Sequence, residues 1–231
     1  MSALEIVLIS VTGTFVILAI LAVIVVQMFN KAMNNKIIDY KVLNDFAPES
    51  PIVFLGDSLT DFYPVHEFIH DERIVNRGIA NETTYDIMGR IDDIISLKPH
   101  TVILLAGIND YLRKGVKSPL TVSQNVIKIV EKLKETVSDV RLVSLYPVNK
   151  KKLKISWLYL RKVKNKKIIL TNEYLKKYCR KNDIEFIDMY PKLTDETLNL
   201  NKDYTIEGLH LNLNGYDAIT PVYKQIIDGI K

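Results

Sequence analysis

The stretch Pro51–His70, PIVFLGDSLTDFYPVHEFIH, decides how the rest of the chain is read. Ile52, Val53, Phe54 and Leu55 form an apolar run without polar alternation, bounded by Pro51 and Gly56. That is the pattern of a strand buried on both faces, and so of a parallel sheet. Two chemical signatures follow it. Ser58 stands just past the strand end, where a serine either caps a helix or attacks a substrate. His66-Glu67-Phe68-Ile69-His70 fits the His-Glu-x-x-His pattern, which on a helix sets two histidines around zinc.

Similar β-rich runs recur at residues 73–77, 101–106, 141–145 and 184–188. Helical spacing lies between them: Ile87, Ile91, Ile94 and Ile95 ahead of Pro99, then Val122, Val126, Val130, Leu133 and Val137 after the start signal Ser118-Pro119. Parallel neighbours need crossover connections, so five strand–helix units predict one α/β domain over residues 51–231, a sheet covered by helices on both faces. No internal repeat or second domain is visible. Ligands of such sheets collect beyond the carboxyl ends of the strands. The residues expected there are Asp57-Ser58, Gly78, Gly107-Ile108-Asn109-Asp110 and, near the C-terminus, Glu207-Gly208-Leu209-His210.

Residues 6–30 carry no charge, and Ile6–Val26 as a helix would reach about 32 Å, enough to cross a hydrocarbon core. The expectation is a transmembrane anchor over residues 1–30 and a polar linker over 31–50, with the lipid bilayer a partner through residues 6–29. A secretory signal fits less well, because no Lys or Arg precedes the apolar run and no small-x-small site follows it. Lys31, Lys36 and Lys41 on the C-terminal side, against none before, lean towards a cytoplasmic domain. The single cysteine, Cys179, excludes an internal disulfide and has no base near it in the sequence.

The net charge of +4 is concentrated in one place. Residues 149–167, NKKKLKISWLYLRKVKNKK, hold nine Lys or Arg and no Asp or Glu, leaving 22 basic against 27 acidic residues elsewhere. Apolar Leu153, Ile155, Trp157, Leu158, Tyr159 and Leu160 interrupt the charges. A solvated loop leading into a helix and a segment lying on anionic lipid both fit this composition. No nucleic-acid reading motif accompanies it.

The zinc reading has little room. Pro64 suits a first helical position and the next strand begins near Arg73, so about two turns are available. His100 and His210 are the remaining histidines for a third ligand, and neither belongs to a known continuation of the motif. No metal is expected. With neither a Walker loop nor Gly-x-Gly-x-x-Gly, no nucleotide cofactor is expected either.

Acyl transfer by a serine needs a nucleophile, a base, a group to orient the base, and donors for the oxyanion. Ser58, His210, Glu207, and Gly78 with Asn109 could fill those roles in turn. FLGDSLTDF, NRGIAN, GIND and EGLHLNLNGY, in that order, resemble the sequence blocks of the SGNH (GDSL) hydrolase superfamily. The resemblance covers residues 51 to about 220. It implies a flavodoxin-like three-layer α/β/α sandwich and a metal-independent serine esterase or lipase. It further implies Ser58 as nucleophile and oxyanion donor, Gly78 and Asn109 as the other donors, and His210 as base. Glu207 departs from the family's usual aspartate, and Asp203 is a possible substitute. Asp110 reads equally as a cap or brace of its loop and as a substrate contact; Trp157 and Tyr159 read as packing or as the wall of an acyl pocket. The nucleophile is not in an α/β-hydrolase elbow, since Thr60 replaces the second glycine of Gly-x-Ser-x-Gly. The expectation is a membrane-anchored serine hydrolase cleaving acyl-lipid or O-acetyl esters through an acyl-enzyme on Ser58. A catalytically weakened scaffold binding membrane surfaces is the alternative from another class.

Overall fold

The computed structural model describes residues 2–113 and 118–230, in two compact units, Met1–Leu43 and Asn44–Lys231. The first is helical. Helix α1 (Ala3–Asn44) leaves Phe15, Ile17, Ile20 and Val25 exposed, reaches a mean hydropathy of 2.8, and is long and apolar enough to cross a membrane. It also runs through most of the stretch expected as a linker. Residues 31–44, KAMNNKIIDYKVLN, contain neither Gly nor Pro, and the helix stops shortly before Pro48.

The second unit runs β1 (Ile52–Gly56), α2 (Ser58–Asp61), α3 (Val65–Phe68), β2 (Ile74–Gly78), α4 (Thr84–Gly89), α5 (Ile91–Ile95) and β3 (Thr101–Leu105). It continues with α6 (Ile108–Leu112), α7 (Pro119–Lys134), β4 (Asp139–Val143), α8 (Ser156–Leu160), α9 (Asn165–Lys181), β5 (Phe186–Ile187), α10 (Tyr190–Leu193) and α11 (Leu213–Asp228). All five strands are parallel in the order β2-β1-β3-β4-β5. This is the flavodoxin-like order of a three-layer sandwich, as the sequence implied. Gly56 at the end of β1 pairs with Gly78 of β2 on one side and Leu105 of β3 on the other, so three strand ends deliver their following loops to one rim.

Helix α7 shows how pattern becomes packing. Ser118 accepts a hydrogen bond from the Thr121 N–H, Pro119 opens the first turn, and Val122, Val126, Ile129, Val130 and Leu133 are fully buried in the core. Under the rim lies an aromatic cluster in which Tyr63 stacks on Tyr216 at 5.0 Å and Phe54 meets Tyr223 edge-on at 5.1 Å. The Tyr216 hydroxyl donates to the Leu59 carbonyl at 3.1 Å, and Tyr63 and Thr220 share a hydroxyl contact at 2.8 Å. These bonds tie α11 to the segment around α2.

The sequence reading missed some boundaries. The helix expected across Ile87–Ile95 breaks at Arg90, because that side chain turns inward to an ion pair with Glu82 and the backbone leaves helical geometry there. The fourth strand starts two residues early, at Asp139, and Val137 lies beyond the end of α7. The fifth shrinks to Phe186–Ile187, an edge pairing only with β4.

Two glycines at the rim are steric requirements. A Cβ on Gly56 would stand 2.3 Å from Thr60 Oγ1 and 2.4 Å from the Leu105 carbonyl oxygen; one on Gly78 would stand 2.3 Å from the Asp61 backbone nitrogen. Helix α2 therefore sits directly on the strand ends. Gly78→Ala should push α2 away and lower stability by roughly 3 kcal/mol. Gly89→Ala, with nothing within 4 Å, should change it by no more than about 1 kcal/mol. Urea titration of the two variants beside the parent checks the contrast; equal midpoints would contradict it.

Candidate active site

Ser58 is the first residue of α2, held by Asp57, whose Oδ1 accepts from the Leu59 N–H at 3.0 Å. Opening a helix leaves the Ser58 N–H among the amides with no intrahelical partner. Its hydroxyl lies 2.9 Å from His210 Nε2, across 152 residues of chain. His210 Nδ1 lies 2.5 Å from Glu207 Oε1. Both Glu207 oxygens also accept from the His210 backbone N–H, at 3.3 and 3.4 Å. The extra methylene of glutamate thus lets the carboxylate fold back onto its own loop and still reach the ring. Burial pushes the Glu207 carboxyl up, but the hydrogen bond and charge of His210 outweigh it and hold the group below the ordinary glutamate value. Phe62, half exposed, packs its ring 5.3 Å from the imidazole.

The loop carrying Glu207 and His210 is fixed through its backbone. Thr205 Oγ1 donates to the His210 carbonyl at 2.7 Å and accepts from the Gly208 N–H at 2.8 Å; the Ile206 N–H donates to the same carbonyl at 3.0 Å. Gly208 has φ 105, and a Cβ there would meet the Asn149 carbonyl at 2.0 Å, so only glycine fits on both counts. Asn149 N–H donates to the Gly208 carbonyl at 2.7 Å. Ser156 and Tyr159 of α8 both donate to the Glu207 carbonyl. Sequence reasoning had no view of these contacts, because Asn149 and Ser156 are more than fifty residues from the loop; the one local signal was the glycine between Glu207 and Leu209.

Asn109 lies in the first turn of α6, just past β3, and its Nδ2 donates to the Glu82 carbonyl at 2.9 Å. Arg90 clamps the Glu82 carboxylate with Nε and Nη2 at 2.6–3.0 Å and also donates to the Arg77 carbonyl, with both side chains buried. Removing one partner of such a pair costs about 3–5 kcal/mol, which makes this loop a stiff support for Asn109. Glu82 and Arg90 were not singled out in the sequence, although their eight-residue spacing brackets a capping box, Thr83 with Asp86. Asp110 accepts from the Thr84 N–H and hydroxyl at 2.9 and 2.7 Å, which favours the bracing role of its two readings.

Gly78 ends β2 at the rim. Its N–H donates to Asn76 Oδ1 at 2.9 Å, which engages the amide expected to face an oxyanion, and its glycine character is explained by the approach of α2. Asp203 does not stand in for Glu207. It sits exposed in a short turn, its carbonyl accepting from Asn212 Nδ2, while Glu207 occupies the imidazole. Helix α3 ends at Phe68, so His70 lies outside it, and His66 and His70 are both exposed while Ile69 is buried. The two histidines therefore do not share a helix face. Cys179 is buried, and its thiol is pushed up to about 11 by burial. Trp157 faces solvent.

Residues 54–218 match the model of the GDSL-like lipase/acylhydrolase family. The chain is similar in structure to a GDSL-like lipase from Bacteroides thetaiotaomicron, with TM-score 0.73 and 27% identity over 83% of this chain and 97% of the other. It is likewise similar to a candidate acylhydrolase from Bacteroides fragilis, with TM-score 0.73 and 28% identity over 82% and 94%. In sequence it is 30% identical over 190 residues to an N-acylneuraminate cytidylyltransferase of Escherichia coli, covering 80% of this chain but 42% of that protein's length.

Asp57 adds an electrostatic feature. It is fully buried, and its Oδ2 has no hydrogen-bond partner among the described residues. Burial raises its carboxyl from 3.8 to about 7, with the Leu59 N–H and His210 pulling the other way. A group held above its unfolded value contributes stability that is full below about pH 4 and is lost as pH rises through about 7, on the order of 4 kcal/mol in all. Asp57→Asn keeps an acceptor for Leu59 and removes the charge. Urea unfolding at about pH 5 and about pH 8 should show the variant gaining on the parent as pH rises; a constant difference would contradict a titrating Asp57.

Proposed function

Because the chain belongs to the GDSL-like lipase/acylhydrolase family, whose chemistry is ester hydrolysis, we propose that it is a serine hydrolase that cleaves carboxylic esters through an acyl-enzyme on Ser58. The observation that carries this is the continuous hydrogen-bond chain from Ser58 Oγ through His210 to Glu207. His210 Nε2 takes the hydroxyl proton as Ser58 Oγ attacks the ester carbonyl. Glu207 keeps the other ring nitrogen protonated and stabilises the imidazolium that forms. The Ser58 N–H and the second Asn109 Nδ2–H hold the oxyanion, the first Asn109 hydrogen being used on Glu82. Collapse of the tetrahedral intermediate expels the alcohol, which takes the proton from His210. Water, activated by the same imidazole, then releases the acid.

The alternative, a weakened scaffold binding membrane surfaces, rests on glutamate replacing aspartate and on the basic segment 149–167. Contact of Glu207 with both the ring and the backbone of His210 supports the hydrolase reading over a weakened triad. We read α1 as a membrane anchor, on its length and hydropathy. An ester on or near a membrane follows as the substrate class: an acyl lipid, in line with the GDSL-like lipase among its structural relatives, or an O-acetyl group.

Ser58→Ala should abolish turnover of p-nitrophenyl acetate. Asn109→Ala should lower kcat by roughly 10²–10³, with the fold intact by circular dichroism. Undiminished turnover by Ser58→Ala would overturn the mechanism. If α1 is an anchor, alkaline carbonate should leave the full-length chain in the membrane pellet; release of a shortened chain into the supernatant would mark α1 as a cleaved signal.

A further inference from the structure

The basic run of residues 149–167 is built the wrong way round for a solvated loop. Helix α8 turns Ser156 and Leu160 inward, both fully buried, and Val163 is buried beyond it. The apolar residues between them point outward. Ile155 is 64% exposed, Trp157 61% and Leu158 56%, with Leu153 and Tyr159 exposed to a lesser degree. Around them stand Lys151, Lys154, Arg161, Lys164 and Lys166, all exposed, with no acidic residue in the run. A face that is apolar at its centre and cationic around it is what an amphipathic surface segment presents to lipid.

We propose that this face docks on an anionic lipid bilayer, the aliphatic and aromatic side chains entering the headgroup boundary and the lysines and arginine meeting the lipid phosphates. A nucleic acid would use the cations and could stack on Trp157 and Tyr159, but it has no use for exposed Leu153, Ile155 and Leu158. An acidic protein surface would leave the same aliphatic groups in water. The chain itself supplies the second argument, since α1 is long and apolar enough to hold it at a membrane, where a weak surface contact is enough.

The inner side of the same segment touches the catalytic loop. Ser156 and Tyr159 donate to the Glu207 carbonyl, and Asn149 to that of Gly208. Docking would bring the Ser58–His210 rim close to the headgroups, where acyl-lipid esters lie. This last consequence rests on the ester-hydrolase reading; the docking itself does not.

Trp157 is the only tryptophan in the chain, so its fluorescence reports on this face alone. The experiment compares the full chain reconstituted into phosphatidylcholine vesicles with the full chain in vesicles that also contain phosphatidylglycerol, with and without brominated acyl chains. The expected result is a blue shift and bromine quenching that require phosphatidylglycerol. The triple variant Lys151→Gln, Lys154→Gln, Arg161→Gln should lose both while still hydrolysing p-nitrophenyl acetate at the parental rate. Each cation near an anionic surface is worth roughly a fivefold gain in partitioning, so losing three should cut docking about a hundredfold. Emission that is the same in both lipids would overturn the proposal. So would a shift produced by single-stranded RNA but not by anionic vesicles. Because fluorescence needs no turnover, an inactive protein that still shows the lipid-dependent shift would sink the enzymatic reading and leave the docking face standing.

Discussion

The contact between Ser58 and His210 depends on a constraint set away from both residues: the loop from Thr205 to Leu211 is held by its backbone. Thr205, Asn149, Ser156 and Tyr159 bind its carbonyls and amides, and Gly208 is forced by a positive φ and by the Asn149 carbonyl behind it. Because the main chain is fixed, the Glu207 and His210 side chains are left free to point at each other and at the serine. On the opposite side, Gly56 and Gly78 let α2 rest on the strand ends, which puts Ser58 at the height the imidazole can reach.

Charge is arranged around this contact in two ways. Glu82 and Arg90 are buried as a bidentate pair, and their purpose in the architecture is positional, since the Glu82 carbonyl orients Asn109. Asp57 is buried and held towards its neutral form by desolvation, against the pull of the Leu59 N–H and His210. On the proposed mechanism a fixed negative charge next to Ser58 would work against an oxyanion forming there, and the burial that makes Asp57 costly to ionise disfavours that charge.

Much of this was legible in the sequence because the relevant signals are local. The run Ile52–Leu55 is a strand whatever surrounds it, and the residues that follow strands in such a sheet must meet at one rim; Ser58, Glu207 and His210 do come into hydrogen-bond contact there, with Asn109 just past β3. What sequence reasoning missed came from contacts between distant segments. Arg90 broke a regular isoleucine pattern because a charge at the start of the loop, Glu82, drew it inward. The steric need for glycine at position 78 is visible only once α2 lies on top of it. The long apolar helix was legible from its missing charges, but not the continuation of α1 to Asn44, since residues 31–44 are polar in composition and helical by propensity.

In the proposed mechanism Ser58 is made nucleophilic by an imidazole that Glu207 orients. Labelling the full-length protein with a fluorophosphonate and mapping the adduct by peptide mass spectrometry tests this most directly, with Glu207→Gln beside the parent. The expected result is a single phosphonylated peptide containing Ser58, formed far more slowly in the variant, by a factor approaching roughly 10⁴ if the glutamate acts as the acid of a standard triad does. An adduct on any other residue, or equal labelling rates in parent and variant, would contradict it.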